Sequence, residues 1–140
     1  MGCCNSTVVN APIEKVWSRL RDFHDLSWCP GVVSKVEKVG AAAGTQIGAK
    51  RVLNDAFHET LLALDDTEQV IRYSIDDGPA AVSRSNVQGY VGEVRVFPIT
   101  DTNSSLVLWT SRWESSGGGV SEFCNPIYRA LLADLKKTFA

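Results

Sequence analysis

The sequence predicts an α+β domain in which one antiparallel sheet carries one long helix across it. The first observation behind this is the last stretch, Val120 to Phe139. Its apolar residues fall at Val120, Phe123, Cys124, Ile127, Tyr128, Leu131, Leu132, Leu135 and Phe139, the three-then-four spacing of a helix with one broad apolar face. Such a helix is roughly 30 Å long, about the width of a small domain. The second is that, one short helical patch apart, everything upstream reads as strands joined by short turns, which argues antiparallel pairing. The third is size: 140 residues, 44% hydrophobic and 21% charged, make one globular domain with a real core.

In chain order, Cys4 to Val9 reads as the first strand. Asn10-Ala11-Pro12 followed by Ile13, Val16, Trp17 and Leu20 predicts a capped amphipathic helix ending near Asp22, with a second short helical turn around Leu26 to Trp28 before Pro30-Gly31. Strands follow at Val32–Val39, Ile47–Leu53, Phe57–Leu64, Val70–Asp76, Val87–Phe97 and Ser105–Glu114, and Ser115 to Gly119 forms the hinge into the long helix. Pro126 interrupts the helical pattern. It predicts either a kink or a fresh start capped by Asn125.

Strand parity sorts the two faces of the sheet. Arg112 and Glu114 outward leave Val107, Trp109, Ser111 and Trp113 facing the helix. Glu93 and Arg95 outward turn Tyr90, Val94 and Val96 in, and Ile71, Tyr73 and Ile75 oppose Arg72 and Asp76. Lys50 outward puts Ile47, Ala49, Arg51 and Leu53 inside. If Phe57, Leu61 and Ala63 point in, so does Glu59; the reversed parity leaves Glu59 on the wet face beside His58. A buried carboxylate is costly unless paired or wetted, and Arg51 on the neighbouring strand is its candidate partner. The aromatic residues Trp28, Tyr73, Tyr90, Trp109, Trp113 and Phe123 either line a cavity between helix and sheet or simply form core.

Several function classes are disfavoured. A net charge of −2 and a pI near 5.6 give no footprint for nucleic acid. No apolar run is long enough to span a membrane. Cys3, Cys4, Cys29 and Cys124 lack zinc-type spacing and predict reduced thiols in an intracellular, cytoplasmic setting. His58-Glu59 opens like a zinc-protease motif, but Leu62 stands where the second histidine belongs. No metal or cofactor is expected. Met1-Gly2-Cys3-Cys4-Asn5-Ser6 fits a myristoylation pattern at Gly2, with Cys3 and Cys4 open to palmitoylation; the alternative is that these residues only begin the first strand.

One resemblance joins these features. Asn10-Ala11-Pro12-x-x-x-Val16-Trp17, Asp22-Phe23, Trp28-x-Pro30, Gly48-x-x-Arg51, Glu59-x-Leu61 before Leu64-Asp65-Asp66, Tyr73-Ser74-Ile75, Tyr90 and Trp109-x-Ser111 occur in the order seen in the START-like, SRPBCC superfamily. The chain most resembles its polyketide cyclase/dehydrase-like (lipid transport) branch and is more distantly similar to plant abscisic-acid receptors. Asn54-Asp55-Ala56 and Ala81-Val82-Ser83 are unlike the gate and latch of those receptors. The resemblance implies a helix-grip fold, a seven-stranded curved sheet wrapped around the terminal helix, with an internal cavity for a small hydrophobic ligand. It implies pocket roles for Arg51, Glu59, Tyr73, Tyr90, Phe123, Ile127 and Leu131, joined by Trp28, Leu61 and Trp109 from the inward set. The expected function is a binding or carrier module, monomeric or weakly dimeric, for a lipid, isoprenoid or polyketide-like molecule. The alternatives are a cyclase/dehydratase-type enzyme using Glu59 as general acid or base, and an interaction protein tethered to membrane through a lipidated N-terminus.

Overall fold

In the computed structural model, which describes residues 1–140, β1 (Gly2–Val9) leads into α1 (Ile13–Leu20). The strands β2 (Val36–Val39), β3 (Lys50–Leu53), β4 (Phe57–Asp65), β5 (Val70–Asp77), β6 (Val87–Ile99) and β7 (Ser104–Ser115) follow, and α2 (Val120–Thr138) ends the chain. All seven strands pair antiparallel in the order β1-β7-β6-β5-β4-β3-β2. With α2 packed on one face of the sheet, this is the helix-grip α+β architecture.

The register lays inward residues in transverse rows. Leu61, Tyr73, Gly92, Ser111 and Cys3 are successive partners across β4, β5, β6, β7 and β1. One row along, Arg51 opposes Glu59, and Glu59 opposes Ile75. The apolar stripe of α2 closes over these rows, burying Val120, Cys124, Tyr128, Leu131, Leu132 and Leu135. Leu135 is wholly buried, worth roughly 1.5–3 kcal/mol for such a side chain.

Several details depart from the sequence reading. The helical turn expected at Leu26–Trp28 is only a set of hydrogen-bonded turns, with Cys29 N–H donating to the Leu26 carbonyl at 3.1 Å, so one short helix rather than two precedes β2. No side chain caps α1, and the Pro12 carbonyl accepts from the Lys15 and Val16 N–H groups of its first turn. β2 begins at Val36 rather than Val32. Upstream of it, Val32 and Val33 N–H groups bond the Cys29 carbonyl, and Ser34 and Lys35 N–H groups bond the Asn54 side chain, so no strand partner is needed there.

Ile47 is 56% exposed instead of buried, because Gly48 at φ +92° breaks the strand before its parity reaches that residue. In β4 an irregularity between Leu61 and Ala63 shifts the parity. Ala63 therefore pairs with outward Arg72, and Leu64 takes the inward place opposite Ile71. At Pro126 α2 runs on without interruption, so Asn125 starts no new helix; its side chain instead accepts a hydrogen bond from Asn5 Nδ2 at 2.8 Å, tying α2 to β1.

Candidate functional site

Between α2 and the concave face of the sheet lies a cavity of about 60 Å³. The inner end is formed by Tyr73, Tyr90, Trp109, Cys124 and Tyr128, the flank by Arg51, Leu53, Glu59 and Ile75, and the helix side by Ile127 and Leu131. Val32, Val33, Asn54 and Phe57 lie at its partly exposed rim. A shallower, open hollow of about 600 Å³ on the outer face is walled half by apolar residues, Ile47 and Leu62 among them, and half by the charged Asp65, Asp66, Glu68, Arg72 and Arg95.

The flank holds a buried ion pair. Arg51 Nε donates to Glu59 Oε1 at 2.8 Å, and Nη2 lies 2.7 Å from the same oxygen. Arg51 Nη1 donates to the Phe23 carbonyl at 2.7 Å, and the guanidinium lies over the Phe23 ring, 3.7 Å from its centroid. The side chains are 8% and 6% exposed. Glu59's hydrogen bonding therefore falls on Oε1, and Oε2 has no protein donor. Burial raises the Glu59 pKa above the ordinary carboxylate value, against the charge and hydrogen bond of Arg51.

The inner end is a chain of hydroxyls. Trp109 Nε1 donates to the Tyr73 hydroxyl at 2.9 Å, Tyr128 and Tyr90 share a hydrogen bond, and Tyr90 reaches Cys124 Sγ at 3.6 Å. An indole N–H can only donate, so Tyr73 accepts from Trp109, while between Tyr128 and Tyr90 either hydroxyl can be the donor. Burial drives the phenols of Tyr73, Tyr128 and Tyr90 upward and lifts the Cys124 thiol to about 11, so all four stay neutral. Two backbone features aim these groups. Gly92 faces Tyr73, and a Cβ there would sit 2.3 Å from Tyr73 Cζ, so only glycine lets the ring lie across β6. Tyr90 stands within the register shift between Gln88 and Val91, beside Gly89 at φ +62°.

Of the residues expected at the cavity, Arg51, Glu59, Tyr73, Tyr90, Trp109, Ile127 and Leu131 come together there. Trp28, Leu61 and Phe123 do not. Trp28 packs against the far side of Trp109, Leu61 is sealed at 1% exposure, and Phe123 stacks on Phe57. Tyr128 and Cys124 were legible only as members of the apolar helix stripe. Asn54 was legible only as a turn residue, and none of the three carried a sequence signal for the polar role it has. Gly2 and Cys3 lie within β1, with Cys3 5% exposed beside Ser111, and Cys4 is exposed on the other face. No helix is long and apolar enough to cross a membrane.

Residues 4–140 match the profile of the family described as polyketide cyclase/dehydrase and lipid transport. The chain belongs to that family. Among solved structures, this polyketide cyclase/dehydrase-type chain is similar to a protein from Nitrosospira multiformis at 42% identity and a TM-score of 0.96, covering 100% of this chain and 97% of that one. At 23% identity it shares its fold with a protein from Bacillus thuringiensis (TM-score 0.80, 99% and 98% covered) and with the protein XoxI from Bacillus cereus (TM-score 0.79, 99% and 94% covered). None of the curated proteins searched matches it.

Proposed function

We propose that the protein is a binding or carrier module that holds a small hydrophobic or amphipathic molecule, of lipid, isoprenoid or polyketide-like class, between α2 and the sheet. The supporting observation is a single unused polar atom, Glu59 Oε2, in a cavity whose walls are otherwise apolar or internally hydrogen-bonded. Apolar walls supply affinity and one polar group supplies orientation, the usual division of labour in small-molecule sites. The space of about 60 Å³ is smaller than an apolar cavity of ~150 Å³ that holds benzene, so the ligand enters as the rim segment Val32–Lys35 moves out. On this reading the protein works without a cofactor, as a monomer or weak dimer. Native mass spectrometry of the purified protein, followed by denaturing extraction, tests it. A released apolar or amphipathic molecule is the expected result; a clean apo mass together with no binding to a small lipid panel removes the reading.

The raised Glu59 pKa favours a second reading, a cyclase/dehydratase-type enzyme with Glu59 as general acid or base. Glu59→Gln separates the two: an enzyme loses most of its rate while still binding, whereas a carrier has no turnover to lose.

A further inference from the structure

We infer that the ligand of this cavity is a neutral molecule whose buried end is a hydrogen-bond donor, an alcohol, phenol or amide N–H, and not a carboxylate or phosphate. The inference rests on the carrier reading and assigns the ligand's chemistry within it. It follows from an inventory of donors and acceptors. At the inner end Trp109 Nε1 donates to Tyr73, Tyr128 and Tyr90 bond each other, and Tyr90 reaches Cys124, so these groups find partners within the protein. At the rim the Asn54 amide holds Ser34 and Lys35 through Oδ1 and the Val32 carbonyl through Nδ2.

That leaves the ion pair. Arg51 is an obligate cation, and its charge is answered within the protein by Glu59 at 2.7 Å. A second anion brought beside it would meet Glu59 as well, in a setting where like charges are weakly screened. Glu59 Oε2 is different: it belongs to a residue 6% exposed that lines the cavity, and no protein group donates to it. A carboxylate oxygen that faces the cavity is met by a ligand O–H or N–H, whereas a ligand carboxylate brings a like charge beside it. A purely apolar molecule fills the walls but leaves Oε2 unmet.

Three compounds of matched shape test this on the intact protein: 4-propylphenol, propylbenzene and 4-propylbenzoate, titrated at about pH 8, where the phenol is neutral and the benzoate ionised. The Trp109 indole N–H resonance, which borders the cavity, is the probe. A hydrogen bond to a charged acceptor makes the phenol bind about tenfold or more tighter than propylbenzene, with the benzoate weakest. In Glu59→Gln the amide oxygen stays toward Arg51 and the amide N–H₂ turns to the cavity, so the phenol loses its advantage and an aryl ketone of the same shape gains one. A benzoate that binds as well as the phenol overturns the donor rule and leaves the carrier reading standing. A phenol no tighter than propylbenzene does the same. Absence of any shift with all three compounds overturns both. Should Glu59→Gln fail to fold, the wild-type order of the three compounds decides alone.

Discussion

Two arginine–glutamate pairs in this sheet have nearly the same geometry and opposite surroundings. Arg51 and Glu59 are direct cross-strand partners on β3 and β4, joined at 2.7 Å; Arg72 and Glu93 are direct partners on β5 and β6, also joined at 2.7 Å. The first faces α2 with its side chains 8% and 6% exposed, the second faces water at 52% and 30%. On the wet face the pair is screened, and solvent replaces either partner at little loss. On the dry face neither partner is tolerable alone. Distance does not distinguish a surface ornament from a site; the medium around the pair does.

The largest expected effect comes from Arg51→Met, which strands the Glu59 carboxylate in the interior. A loss of about 3–5 kcal/mol in urea denaturation is expected, against less than about 1 kcal/mol for Arg72→Met in the same assay. Equal losses would break the comparison. Next is Gly92→Ala, whose new methyl group meets Tyr73 Cζ at 2.3 Å and forces either the ring or β6 to move; about 1–3 kcal/mol and a shifted Trp109 indole resonance are expected. Tyr128→Phe removes the hydroxyl partner of Tyr90, for about 1–2 kcal/mol, with little change in thermal unfolding cooperativity.

The smallest effect is one of pH. The folded chain raises the Glu59 pKa, so between the ordinary carboxylate value and that raised value the folded state holds the proton more tightly than the unfolded state does. This contribution is fully present below the unfolded pKa and is lost as pH rises through the folded one. Denaturation midpoints taken across that window should fall with pH in the wild type, and that part of the slope should vanish in Glu59→Gln. Glu93→Gln, on the wet face, should leave the slope in place.

The fold was legible because its signals are periodic. The stripe of α2 and the alternation in β5, β6 and β7 each repeat often enough to fix a face, and Lys50 beside Arg51 fixed the side on which the interior arginine stands. The orientation of Glu59 stayed open, since β4 has apolar residues on both parities, and pairing with β3 decided it. What could not be read are properties of register and of single atoms. The shift between Leu61 and Ala63 leaves no mark on composition, and a single glycine at Gly48 does not by itself announce the break that exposes Ile47. Tyr128 and Cys124 sit correctly on the apolar stripe, but their roles depend on where Tyr90 and Tyr73 end up across the sheet, which no local pattern encodes. Trp28, Leu61 and Phe123 are inward as their spacing requires, yet inward is a larger territory than the cavity.

Asn54, at φ +55° in the β3–β4 turn, ties down the Val32–Lys35 segment through its amide, and on the proposed carrier reading this tie sets a rate as well as a shape. Molecules larger than the closed space are admitted only by the fraction of chains in which that amide has let go. The observed dissociation constant is then the intrinsic one divided by the open fraction. Loosening Asn54 therefore strengthens apparent binding and shortens the wait for entry, while the contacts deep inside, and with them the choice of ligand, stay as they were.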